Sequence, residues 1–266
     1  MQTRISTGRE ITYEDVGQGP TLILLHGPFL NRLMWQPQFE ELAKDYRLLA
    51  PDLPALAGPD NLSTSLEEMA DDVMGLLDAL EVRARVVLVG ISVCGNIALA
   101  FARKYASRLR GLVLADTGGG LYVSEETRLM YDRIIDFLHG HSVAEVVEVV
   151  LPRLLSAAGV AKSPHLAQQV REIAVGQSAT AAWRLIQAMR DAPQGFAPLG
   201  RDDLPILVVV GSADQLIGPS VAESLAAALG GAQLIRIREA GHFSNLEKPD
   251  AFNQALRTFL EGLGPV

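Results

Sequence analysis

The sequence predicts an α/β protein: a mostly parallel, doubly wound central sheet with helices on both faces and a helical block inserted past its middle. Three observations predict it. Short apolar runs, each followed by Gly, Pro or Asp, alternate with stretches of helical periodicity. The runs are continuous rather than alternating, which suits strands buried on both faces, as parallel strands are. Across residues 124–192 the rhythm breaks, and only helical patterns recur.

In chain order, "RISTGREITYEDVG" (4–17) predicts an antiparallel hairpin on the sheet edge. "TLILLHG" (21–27), "YRLLAPD" (46–52), "RVVLVG" (85–90) and "GLVLADT" (111–117) predict inner strands. Helical patterns between most of them complete βαβ units. The insert carries about four helices, in "ETRLMYDRIIDFLH", "SVAEVVEVVLPRLL", "PHLAQQVREIAVGQ" and "TAAWRLIQAMRD". "PILVVVG" (205–211) and "QLIRIREAG" (233–241) return to the sheet. The expected division is core over 1–120, a helical cap over 121–195, and core again over 196–266. Such a cap belongs over the carboxyl ends of the strands, where open α/β sheets bind ligands. Its apolar residues, Trp183 among them, are expected to face a substrate pocket.

Bulk properties narrow the function. The net charge of −8, with no Lys/Arg cluster, argues against nucleic acid and anionic membrane as partners. The apolar runs are far shorter than a membrane span. The first ten residues, "MQTRISTGRE", hold no apolar segment of a signal peptide, so the expected compartment is the cytoplasm. A single cysteine, Cys94, excludes an internal disulfide and a multi-cysteine metal site. The expected partner is a small-molecule substrate, and the expected assembly a monomer or homodimer.

The chemistry centres on "VLVGISVCGNIALAFARKY" (87–105). A serine in G-x-S, between a strand and a helix, is lifted clear of the backbone by the tight turn, beside the free N–H groups of the helix start. Ser92 is therefore the candidate nucleophile; the plainer role is helix N-cap. A serine nucleophile needs a base. Of the five histidines, His139, His141 and His165 fall in the insert and read as surface residues. His26 ends an inner strand, where it borders the pocket and braces a loop. His242, just past the last strand in "REAGHFSNLEKPDAFN", shares the sheet edge of Ser92 and is the candidate base. The orienting carboxylate is Asp214, after the next-to-last strand, with Asp116 after the strand before the insert as its rival.

Ser92, Asp214 and His242 in these contexts, with "LLHG" and "GHFSNLEKPDAF", resemble the α/β-hydrolase superfamily over nearly the whole chain. The similarity is greatest to the capped group of 3-oxoadipate enol-lactonases and small esterases, where "GH-x-SNLE-x-P" is common. The resemblance implies an α/β-hydrolase fold, a Ser-His-Asp triad, an acyl-enzyme, and no cofactor or metal. It also implies an oxyanion hole of two backbone amides, one from Val93 and one from the residue after "HG".

That second residue is Pro28, which has no N–H. The run reads "HGPF" where "HGFP" is usual. Either Phe29 supplies the donor, or Ser92 does weaker or different chemistry; exchanging the two residues is expected to restore a donor and raise kcat. "APDLPALAGPDN", "ADTGGGLY" and Cys94, which replaces the second glycine of G-x-S-x-G, depart from the family at the same edge. Cys94 reads as a small buried packer beside the pocket. These loops suit a specialised natural substrate or a deliberately altered pocket. The expected activity is cleavage of a small ester or lactone. Alternatives are a lyase or cyclase using His242 as acid/base, and a ligand-binding protein without catalysis.

Overall fold

The computed structural model describes residues 1–53, 65–120, 125–192, 199, 203–230 and 232–264. Eight strands form one sheet: β1 (Gln2–Arg4), β2 (Glu10–Val16), β3 (Thr21–Leu25), β4 (Arg47–Asp52), β5 (Val86–Ile91), β6 (Leu109–Ala115), β7 (Ile206–Gly211) and β8 (Gln233–Ile237). Their spatial order is β1-β2-β4-β3-β5-β6-β7-β8. β1 and β2 pair antiparallel at the edge, and β2 runs antiparallel to β4; every later pairing is parallel. All the apolar runs of the sequence are thus strands, and the hairpin lies where expected.

Core helices are α1 (Gln36–Leu42), α2 (Leu66–Ala79), α3 (Val93–Tyr105) and, after the insert, α9 (Pro219–Ala228), α10 (Ser244–Glu247) and α11 (Pro249–Gly262). Between β6 and β7 come α4 (Glu125–Leu138), α5 (Val143–Leu154), α6 (Ala157–Lys162), α7 (His165–Ala174) and α8 (Ala179–Asp191). These are five helices rather than four among the described residues. The extra one, α6, spans only six residues, too few to show a period of 3.6. Its start is marked instead by the Ser156 side chain, which accepts from Gly159 N.

β3, β5 and β7 are buried at every position, which is why they read as unbroken apolar runs. Each fully buried Val, Leu or Ile contributes about 1.5–3 kcal/mol, so this layer fixes the strand ends against which the loops are built. α8 packs against α3, and α7 against the short 3-10 helix Arg32–Trp35 that follows β3. The expected boundaries at 121 and 195 lie outside the described residues, as does most of "APDLPALAGPDN" and the end of "ADTGGGLY". Among the described residues, no helix is long and apolar enough to cross a membrane.

Candidate active site

Four loops leave the carboxyl ends of adjacent strands β5, β6, β7 and β8, and they carry Ser92, Asp116, Asp214 and His242. Backbone bonds continue the sheet into the loops: Ser92 N donates to Ala115 O at 2.9 Å, and Asp116 N to Val209 O at 2.8 Å. Ala213 N donates to Ala240 O at 2.8 Å and His242 N to Leu154 O at 3.0 Å.

Ser92 sits at φ +55, ψ −125, a left-handed conformation that a side chain occupies only when its surroundings impose it. The elbow needs glycine before it: a Cβ on Gly90 would lie 2.4 Å from the Cys94 carbonyl oxygen. The Ser92 side chain makes no capping bond to α3. Its Oγ lies 2.8 Å from His242 Nε2, and His242 Nδ1 lies 2.8 Å from Asp214 Oδ2. The other Asp214 oxygen accepts from Leu216 N at 2.8 Å and Ile217 N at 2.9 Å. All three side chains are buried.

Burial alone would lower the His242 pKa. The charge and hydrogen bond of Asp214, with the charge of Asp116 behind it, outweigh that and hold the imidazole above its ordinary value. An imidazole so placed can take a proton from Ser92 Oγ when it is neutral, and Asp214 favours the charged ring that results.

Asp116 plays a different part. It is wholly buried at φ +47, which turns its carboxylate toward Gly211 N at 2.8 Å and toward Ser244 N and Oγ at 3.1 and 2.7 Å. Burial, then the charge of Asp214, pushes its pKa up to about 7. Asp116 therefore ties the loop after His242 to the end of β7, while Asp214 meets the imidazole. The role of Ser244 as its partner was not visible in the sequence.

The loop after β3 carries His26, Pro28 and Phe29. His26 is fully buried; its Nδ1 donates to Gly27 O at 2.9 Å, the bracing role expected of it. Burial, the largest influence, lowers its pKa, against the charge of Asp52. Pro28 offers no N–H, and Phe29 follows at φ +68. Neither Phe29 N nor Val93 N donates to another described residue, so both amides are unspent. The structure also reverses one expectation: proline is locked near φ −65° and cannot occupy position 29 as it stands, so exchanging Pro28 and Phe29 would break this turn.

Cys94 is fully buried in the core, and burial pushes its thiol pKa up, which fits a packer. The position on this turn that cannot hold a side chain is the next one, where a Cβ on Gly95 would come within 2.5 Å of Thr117 Cγ2. Trp183 is half-buried on α8, its ring edge-on to exposed His139 at 5.2 Å. His141 and His165 are likewise exposed.

A parallel sheet with a serine at a strand-to-helix elbow, and a histidine and a carboxylate on later strand ends, is the architecture of one hydrolase class. The chain belongs to the alpha/beta hydrolase family, whose model matches residues 22–255. It is similar to a thermophilic esterase from Thermogutta terrifontis: 30% identity, 99% of each chain covered, TM-score 0.90. The enol-lactonase from Burkholderia xenovorans LB400 matches 98% of this chain and 100% of its own, at 25% identity and TM-score 0.86. By sequence, 3-oxoadipate enol-lactonase 1 of Acinetobacter baylyi is 25% identical over 92% of this chain and 95% of its own length.

Proposed function

We propose that the protein is a serine hydrolase that cleaves a small carboxylic ester or lactone through an acyl-enzyme, without a cofactor. The observation that carries the proposal is the unbroken relay Asp214–His242–Ser92, with 2.8 Å at each step. His242 Nε2 takes the Ser92 proton as Oγ bonds to the substrate carbonyl carbon. The oxygen of the tetrahedral intermediate carries the negative charge, and the amides of Val93 and Phe29 donate to it. Collapse breaks the bond to the alkoxy oxygen, which receives the proton from His242. Water then attacks the acyl-Ser92, again giving its proton to His242, and the acid leaves with Ser92 restored.

The esterase and lactonase relatives support the substrate class. The free Phe29 amide supports hydrolysis over the lyase or cyclase alternative, since it is available in place of the donor that Pro28 lacks. The insert acts as a cap over the site: α8 lies on the helix that Ser92 opens, α7 on the loop region after β3, and Leu154 binds the His242 backbone. Trp183, His26, Pro28 and Cys94 then belong to the pocket or its wall. The test is turnover of short p-nitrophenyl esters and of small lactones by the purified protein and by Ser92→Ala. Turnover that Ser92→Ala abolishes is expected; turnover that the variant retains would overturn the proposal.

A further inference from the structure

The loop that carries His242 is fastened to the insert as well as to the sheet. His242 N donates to Leu154 O at the end of α5. Two residues on, Ser156 caps α6, and between Ser156 and the His242 loop lies the side chain of Glu247, half-buried at the end of α10. Glu247 Oε1 accepts from Gly241 N at 2.8 Å; Ser156 N lies 3.2 Å from Oε1 and 3.1 Å from Oε2. Oε2 is 2.6 Å from Ser156 Oγ. The cradle is close on both sides: a Cβ would lie 2.2 Å from Oε2 at Gly159, and 2.6 Å from Oε1 and 2.7 Å from Ser156 N at Gly241. One carboxyl thus joins the insert to the residue directly before the base, and no step of the hydrolysis uses it.

The hydrogens around Ser156 Oγ can be counted. Gly159 N supplies one, at 2.8 Å. Glu239 O, at 2.9 Å, can only accept, and takes the single hydroxyl hydrogen. With that hydrogen committed, the 2.6 Å contact with Glu247 Oε2 takes its hydrogen from Glu247. An ionised Glu247 would leave two acceptors competing for one hydrogen. Burial, the largest influence on Glu247, raises its pKa, outweighing the bonds from Ser156 and Gly241. The charged and titratable groups around the latch are His242, Lys248 (3.2 Å from Glu239), Arg238 and Lys162.

We propose that Glu247, in its proton-bearing form, is a positioning residue that latches the helical insert onto the His242 loop and so fixes the base against Ser92. The proposal rests on His242 being the base of the proposed hydrolase. Glu247→Gln keeps the bonds that matter here: an amide N–H replaces the carboxyl O–H toward Ser156 Oγ, the amide oxygen accepts from Gly241 N and Ser156 N, and only the 3.1 Å contact of Ser156 N with Oε2 is lost. Glu247→Ala keeps none. Two readouts apply: kcat and KM on a p-nitrophenyl ester, and the Nδ1–H signal of His242 in protein labelled with ¹⁵N-histidine. Expected for Glu247→Gln are near-normal kcat and an intact signal. Glu247→Ala should broaden the signal and lower kcat by about tenfold to 10²-fold, the scale of a misplaced catalytic group, with KM changed less. Ser156→Ala, which cuts the latch from the insert side, should act in the same direction, and should add little in the Glu247→Ala background; it also serves if Glu247→Ala does not fold. The latch is overturned if Glu247→Ala, or Ser156→Ala in its place, leaves kcat and signal unchanged. Its proton is overturned if Glu247→Gln fails as badly as Glu247→Ala. If the unaltered protein turns over no ester, the hydrolase proposal falls, and the His242 signal alone decides the latch.

Discussion

Asp214→Asn should cost about 10⁴ in kcat with the fold intact, the scale set by losing the productive imidazole tautomer in a serine triad. The structure explains why the new amide could not adapt. One Asp214 oxygen faces His242 Nδ1 at 2.8 Å, and the other faces two backbone amides, Leu216 N and Ile217 N, at 2.8 and 2.9 Å. Turning the NH₂ away from the imidazole would point it at those two N–H groups, leaving donors unpaired at roughly 1–3 kcal/mol each. The NH₂ therefore faces Nδ1, which must present a lone pair. The imidazole proton moves to Nε2, which then donates to Ser92 Oγ where it should accept. Asp116→Asn removes an acceptor for either Ser244 or Gly211 and a charge that lies behind the triad, leaves the Asp214–His242 bond in place, and should fall far less. The assay is kcat on a p-nitrophenyl ester, with circular dichroism to verify folding. A crippled Asp116→Asn beside an active Asp214→Asn would refute the reasoning.

Exchanging Pro28 and Phe29 should lower kcat by about 10²-fold or more, the value of one oxyanion donor, because the exchanged proline has neither the N–H nor access to φ +68; an increase in kcat would show that the loop rebuilds. For kcat/KM, the acid limb should lie above the ordinary histidine value near 6.5, since His242 must be neutral to act and its pKa is raised. By the same sign, the stability His242 contributes is complete below its unfolded pKa and is lost as pH rises through the folded one. An acid limb at or below the ordinary value would contradict this. Trp183→Ala should change the preferred acyl chain more than the rate on the smallest ester; uniform rates across a chain-length series would remove Trp183 from the pocket.

Much of the architecture was legible because burial on both faces writes a strand as an unbroken apolar run, as in β5 and β7. Ser92 and His242 could be singled out as candidates because an elbow glycine and a post-strand histidine leave local signatures. Position did not separate the two candidate carboxylates, since Asp116 and Asp214 both end neighbouring strands. What separates them is direction: φ +47 turns Asp116 toward Gly211 and Ser244. Phe29 shows the same limit, for no composition rule announces a phenylalanine at φ +68. Glu247 stood in the recognisable "SNLEKP", but its partner Ser156 is 91 residues away, on a helix too short to leave a period.

The central claim is that Ser92 Oγ is the atom that forms the covalent intermediate. Its most direct test is labelling with a fluorophosphonate, which phosphonylates a serine only where a base and an oxyanion site act on it together. Mass spectrometry of the digested protein should find one adduct, on the peptide containing Ser92, formed in the unaltered chain and not in His242→Ala. An unlabelled protein, or an adduct on another residue, would contradict the account.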